Sequence, residues 1–265
     1  MPHQSSPLRI LCLHSFQTNG AILKAQLRFA NYETMIPDAE FEFADGVSEC
    51  ADEAKVDAML KSYFPRSKFG PYREWWNAQK VQGTVVYENF DEAVESVARR
   101  LRAEPPIDGL LGFSQGGSLA ATVLAMQLKG KLPDTKPLRF VWVQGCFRPR
   151  HPPAVPDFQN LDSAPPVLAT AYEDDPLVPP SLTRDLASCF PGATFVELEG
   201  RAHKVAKLVD GGDPATRQIL DFFAALSRTR ESRVGLAVAF EEAQKLEGSL
   251  ATVASPATSI RFSTF

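Results

Sequence analysis

The chain has 265 residues, a formal net charge of −4 and 44% apolar residues. That length suits one large domain with a sizeable core, or a domain with a small appendage. The weak negative charge argues against a nucleic-acid-binding role, because affinity there rests on clustered cations; the short basic run Arg228–Arg233 is broken by Glu231 and reads as a solvated helix end. Cys12, Cys50, Cys146 and Cys189 stand far apart with no CxxC pair. Neither a zinc site nor a disulfide framework is expected. No stretch approaches the ~18 consecutive apolar residues of a membrane span. The opening MPHQSSPLRILCLHSF holds a short apolar run that suits a first strand better than a signal peptide. The protein is therefore expected in the cytoplasm, with nuclear residence compatible.

In chain order, Leu8–Leu13 (LRILCL) reads as a strand buried on both faces. HSFQTNG is turn-like. A helix is predicted from about residue 20 to residue 35, with Ile22, Leu23, Leu27 and Ala30 near one face. Glu40–Ala44 (EFEFA) alternates as a strand does, and Asp45-Gly46 ends it. Residues 46–88 break this rhythm and hold Tyr63, Phe64, Phe69, Tyr72, Trp75, Trp76 and Tyr87. An insertion of that length is either a cap over a pocket or a packed surface excursion. Trp75 and Trp76 are candidates for the wall of an apolar acyl or aryl pocket.

Asn89–Arg102 is a predicted helix, with Asn89 and Glu92 at capping-box spacing and Phe90, Val94, Val97, Ala98 and Leu101 in a stripe. Strands follow at Ile107–Phe113, Phe140–Val143, Pro165–Ala171 and Thr194–Leu198; helices at Gly116–Leu128, Leu182–Cys189 and Pro214–Leu226. This alternation predicts an α/β fold, a mainly parallel sheet with helices on both faces and a ligand site beyond the carboxyl ends of the strands. The domain is expected over residues 7–230. Residues 231–265 would add one amphipathic helix, Val234–Leu246, and a loose Ser/Thr-rich tail.

The chemistry centres on LLGFSQGGSLAA, where Ser114 follows a buried strand with GxSxG spacing. A serine hydroxyl is a poor nucleophile unless a base lies within hydrogen-bond reach and donors await the oxyanion. A nucleophile elbow supplies the geometry, and it needs very small residues two positions away on each side. Gly112 and Gly116 meet that need. The competing reading is a serine capping a helix at a glycine turn.

A base and an acid are present in the chain order Ser…Asp/Glu…His of an α/β-hydrolase. His203, in EGRAHKVAK after the Thr194–Leu198 strand, is the candidate base. His3 is near the terminus and His151 in a proline-rich loop read as solvated. Glu173, Asp174 and Asp175 directly follow a predicted strand, and one of them would orient the imidazole. The loop after the first strand, His14-Ser15-Phe16, should provide the second oxyanion donor. The candidate donors are the backbone N–H groups of Phe16 and Gln115, with His14 orienting the loop.

Together, LRILCLHSFQTNG, REWW, IDGLLGFSQGG, DPLVP and GRAHKV resemble the family serine hydrolase (FSH) group of the α/β-hydrolase superfamily. That group includes yeast serine hydrolases, ovarian-cancer-associated serine hydrolases and fungal polyketide-releasing thioesterases. The resemblance covers roughly residues 8–226. It implies an α/β-hydrolase fold and a Ser114–His203–Asp175 triad, the acid being the one that precedes two variable residues and Val-Pro. It also implies a small-molecule ester or thioester substrate cleaved through an acyl-serine. No GxGxxG follows the first strand and no histidine pair has ligand spacing, so neither cofactor nor metal is expected. A non-catalytic hydrolase-like binding protein, or an acyltransferase with the same triad, are the alternatives. The chain departs from the group at Ser15, where a glycine is usual, and at Arg201-Ala202 before His203. If position 15 takes a positive φ, Ser15 strains the oxyanion loop.

Overall fold

The fold is that of a computed structural model, described over residues 6–50 and 52–228. The predicted Val234–Leu246 helix and the tail lie outside the described residues. The chain divides into two compact units at Leu220/Asp221; the sheet and its helices belong to the first, and residues 221–228 of the second are helical.

Among the described residues ten strands form in chain order: β1 (Leu8–Leu13), β2 (Ala39–Ala44), β3 (Ser48–Glu49), β4 (Arg73–Glu74), β5 (Asn77–Val81), β6 (Thr84–Glu88), β7 (Gly109–Phe113), β8 (Phe140–Gln144), β9 (Val167–Tyr172) and β10 (Thr194–Leu198). Six of them make one parallel sheet in the order β10-β9-β8-β7-β1-β2. The interior strands β7, β8 and β9 are buried along their whole length. This is why they read as continuous apolar runs, whereas the edge strand β2 alternates. The chain runs outward from β1 to β2 and then returns to the far side of β1 as β7. The strand order therefore reverses between β1 and β7, the kind of point at which open α/β sheets bind ligands beyond the carboxyl ends of the strands, and His14 and Ser114 follow those two strands.

The helices are α1 (Gly20–Phe29), α2 (Tyr32–Met35), α3 (Ala58–Tyr63), α4 (Arg66–Phe69), α5 (Phe90–Arg102), α6 (Gln115–Leu128) and α7 (Pro180–Ala187). A further helix opens at Pro214. Burial of the α5 stripe, Phe90, Val94, Val97 and Leu101, contributes about 1.5–3 kcal/mol per side chain. Among the described residues no helix is long and apolar enough to cross a membrane.

Two local expectations are corrected. The single helix over 20–35 breaks into α1 and α2, because Asn31 adopts a left-handed conformation at φ 67°. Its amide Nδ2 donates to the Leu208 carbonyl at 2.8 Å, which holds the break. Asn89 does not lead a capping box. It too is left-handed, at φ 64°, and its side chain makes no capping bond to α5. Instead Nδ2 donates to Ser48 Oγ at 2.9 Å, tying the helix start to the insertion.

The insertion is a packed excursion with its own structure. β3 pairs antiparallel with β4, and β5 with β6. Cys50, Val56 and Tyr72 pack with Ile22 of α1 in a small second core, closed by Leu60, Phe64 and Phe69.

Candidate active site

Ser114 stands between the end of β7 and the start of α6 with φ 53° and ψ −116°, a conformation that L-residues rarely adopt. Its N–H is bonded to the Gln144 carbonyl at 2.9 Å, which fixes the turn. The flanking glycines are sterically obligatory. A Cβ on Gly112 would lie 2.2 Å from the Gly116 carbonyl oxygen, and one on Gly116 would lie 2.1 Å from the Leu13 carbonyl oxygen. Strand, helix and the end of β1 therefore meet backbone to backbone around the serine.

Ser114 Oγ lies 3.0 Å from His203 Nε2, and His203 Nδ1 lies 2.7 Å from Asp175 Oδ2. The other oxygen, Asp175 Oδ1, accepts the N–H groups of Leu177 and Val178 at 2.8 and 2.9 Å. The turn after β9 thus holds a buried carboxylate with one oxygen committed to backbone and the other to the imidazole. A proton on Nδ1 satisfies Asp175 and leaves the Nε2 lone pair facing the hydroxyl, the arrangement that general-base activation requires. The neighbouring carboxylates serve elsewhere. Glu173 accepts the Gly200 N–H at 2.8 Å, and Asp174 faces Arg201 at 3.8 Å; both acids are exposed.

The opposite wall is the loop after β1. His14 is wholly buried. Its Nε2 accepts the Gly46 N–H at 2.8 Å, so Nδ1 carries the proton and donates to the Ser15 carbonyl at 2.7 Å. Thr18 Oγ1 donates to the same carbonyl. His14 is therefore a neutral strut that pins the Ser15–Phe16 backbone. Ser15 is not among the described residues with positive φ; the left-handed residue in this loop is Gln17, at φ 54°. The strain expected at Ser15 does not arise.

Trp75 and Trp76 are not placed as open pocket walls. Both are core residues, 0% and 4% exposed. Trp75 stacks on His14 with ring centroids 5.0 Å apart, and its Nε1 donates to the His14 carbonyl at 2.9 Å. Trp76 stacks on Tyr87, which in turn stacks on His151. His151 is thus packed rather than simply solvated; His3 lies outside the described residues.

Two glutamine side chains join these walls, that of Gln115, whose backbone N–H alone the sequence singled out, and that of Gln144, which it did not. The Gln115 side chain accepts the Trp75 N–H at 3.0 Å and donates to the Trp76 carbonyl at 2.8 Å, locking the insertion to the elbow. Gln144, buried at the end of β8, accepts the Ala206 N–H at 2.7 Å and the Tyr32 hydroxyl at 3.1 Å through Oε1. Its main chain anchors Ser114 and its side chain anchors the segment after His203. The available signal was a lone amide closing the apolar strand FVWVQ. Gln144→Leu leaves two buried donors without an acceptor. It is expected to lower stability by about 2–4 kcal/mol in urea unfolding.

Burial also depresses the His14 pKa, from the usual 6.5 to about 4, against a smaller opposing effect of its bond to the Ser15 carbonyl. Below the usual value the unfolded chain takes up a proton that the folded chain refuses until about pH 4. Stability should therefore be complete above that usual value and fall as pH drops through this window. By about pH 5 the expected loss is about 2 kcal/mol, and His14→Gln should flatten that slope in urea unfolding followed across pH.

A family model for serine hydrolase (FSH1) matches residues 3–208. The mouse (Mus musculus) esterase OVCA2 is 29% identical over 201 residues, which cover 73% of this chain and 87% of that protein. A dihydrofolate reductase from Schizosaccharomyces pombe is 30% identical over 194 residues, covering 69% of this chain but 40% of that protein, so the match spans about two-fifths of its length. Among solved structures, acyl-protein thioesterase 2 of Zea mays superposes with a TM-score of 0.55 at 17% identity, over 85% of this chain and 96% of that one. At that identity the likeness is one of fold, and the fold is that of an α/β-hydrolase. Matched over most of its length, the chain belongs to the serine hydrolase (FSH1) family.

Proposed function

We propose that Ser114, His203 and Asp175 form a catalytic triad that cleaves a carboxylic ester or thioester of a small molecule through an acyl-serine. The observation that carries this reading is the unbroken chain of hydrogen bonds, 2.7 and 3.0 Å, from a buried carboxylate through the imidazole to a strained serine.

In this mechanism His203 Nε2 takes the Ser114 proton as Oγ attacks the substrate carbonyl carbon. Asp175 stays ionised, keeps Nδ1 protonated and stabilises the imidazolium. The tetrahedral oxyanion is received by the backbone N–H groups of Gln115 and Phe16. Gln115 is the first residue of α6, so its N–H has no acceptor within the helix, and the positive end of the helix dipole favours the developing charge. The imidazolium then protonates the leaving alkoxide or thiolate. Water repeats the sequence on the acyl-serine and restores Ser114. Exposed Phe16 on the oxyanion loop and Leu177 on the Asp175 turn offer apolar surface to the substrate. Trp75 and Trp76 support the wall from behind.

Rapid mixing with matched oxygen and sulfur esters over a range of acyl lengths tests this reading. The expected result is a burst of leaving group stoichiometric with enzyme, absent in Ser114→Ala. Turnover that survives in Ser114→Ala would overturn it.

A further inference from the structure

Two grooves meet at Phe29, the last residue of α1. One, of about 700 Å³, is lined by Lys24, Arg28 and Lys68. The other, of about 440 Å³, is lined by Lys204 and Lys207. No aspartate or glutamate lines either groove. Among the described residues these five cations make no ion pair, although most other arginines of the sheet domain do. In a chain of net charge −4, such a face is not a by-product of a basic composition.

The same face carries apolar side chains that folding has left in water. Phe29, Met59 and Tyr63 are 76%, 69% and 71% exposed, and all three line the second groove. A single exposed apolar side chain is ordinary, but three around one groove mark an interaction surface. Unpaired cations surrounding projecting apolar groups complement an anionic lipid surface, where headgroups take the charge and the acyl boundary takes the side chains. Nucleic acid would use the cations and stack on planar rings. It gives no role to the extended side chain of Met59.

We infer that this face docks the protein peripherally on an anionic lipid bilayer. Phe29, Met59 and Tyr63 enter the interface, while Lys24, Arg28, Lys68, Lys204 and Lys207 bind headgroups. Lys204, the residue after His203, lines the second groove, so docking holds the His203 loop beside the lipid. Vesicle binding needs no turnover, so this inference stands apart from the role given to Ser114.

The test is co-sedimentation of the full chain with vesicles of phosphatidylcholine alone and of phosphatidylcholine mixed with phosphatidylserine. Binding is expected to the mixed vesicles only, and to fall as salt is raised. Each cation neutralised should weaken it roughly fivefold, so Lys24→Glu/Arg28→Glu/Lys68→Glu should lose at least about a hundredfold. Phe29→Ser/Tyr63→Ser should bind more weakly while keeping the salt dependence. Both variants should hydrolyse a soluble ester at the wild-type rate and unfold at the wild-type temperature. Equal binding to neutral vesicles, undiminished binding by the charge-reversed variant, or capture of single-stranded DNA without capture of vesicles would each overturn the inference.

Discussion

Ser114→Ala is expected to lower kcat/KM for an activated ester by roughly 10⁴- to 10⁶-fold, with the fold intact. The size of the effect follows from what remains. Oxyanion donors, substrate binding and the His203–Asp175 pair remain, but the nucleophile is gone and no acyl-enzyme can form. His203→Ala should fall in the same range, because without the imidazole the hydroxyl keeps its proton. Asp175→Asn should cost about 10⁴-fold, since an amide can accept or donate at Nδ1 and so permits the wrong tautomer. Steady-state rates for the three variants check this order. Ser114→Gly separates catalysis from strain. It should be as inactive as the alanine variant, yet more stable by about 1 kcal/mol, because glycine takes φ 53° and ψ −116° without a Cβ conflict. Urea unfolding of the serine, alanine and glycine forms measures that difference.

Gly116→Ala is expected to be the most damaging single methyl in the molecule. The added Cβ would lie 2.1 Å from the Leu13 carbonyl oxygen and 2.5 Å from that of His14. Both atoms are backbone: Leu13 ends β1, which is hydrogen-bonded on each side to β2 and β7, and His14 follows it directly, so neither carbonyl can rotate away as a side chain would. Relief requires α6 to move off the sheet, which opens the packing of a helix buried from Gly116 to Ala125. The expected loss is more than about 3 kcal/mol, with little soluble protein recovered. Whatever folds should be catalytically weak, because the same shift carries the Gln115 N–H away from the loop after β1. Expression yield and urea unfolding check the first effect, and rates on purified protein check the second.

The sheet was legible in the sequence where a strand is buried on both faces and bounded by turns. Leu8–Leu13 forms with the limits that its residues suggest, and so does Thr194–Leu198, although it is a partly exposed edge strand. The order of Ser114, Asp175 and His203, each just after a strand, was also legible, because parallel strands bring their carboxyl ends to one edge of the sheet. What escaped was whatever depends on a single left-handed residue or on a distant partner. Asn31 breaks a helical pattern that its neighbours would have continued. Asn89 forgoes its capping role for a bond to Ser48. Trp75 and Trp76 look like pocket residues in a linear reading, but they brace the site from inside the core. Gln144 shows its importance only once Ala206 and Tyr32 are beside it. The basic face was hidden for the same reason: positions 24, 28, 68, 204 and 207 make no run in the chain, and the fold gathers them.

The central claim is that Ser114 is an activated nucleophile, and the most direct measurement is labelling with a fluorophosphonate probe followed by mapping of the modified peptide. The account predicts one phosphonyl group per chain, on the peptide that contains Ser114, and no label on Ser114→Ala under the same conditions. Equal labelling of the two proteins, label on another residue, or no labelling of the folded wild-type chain would contradict it.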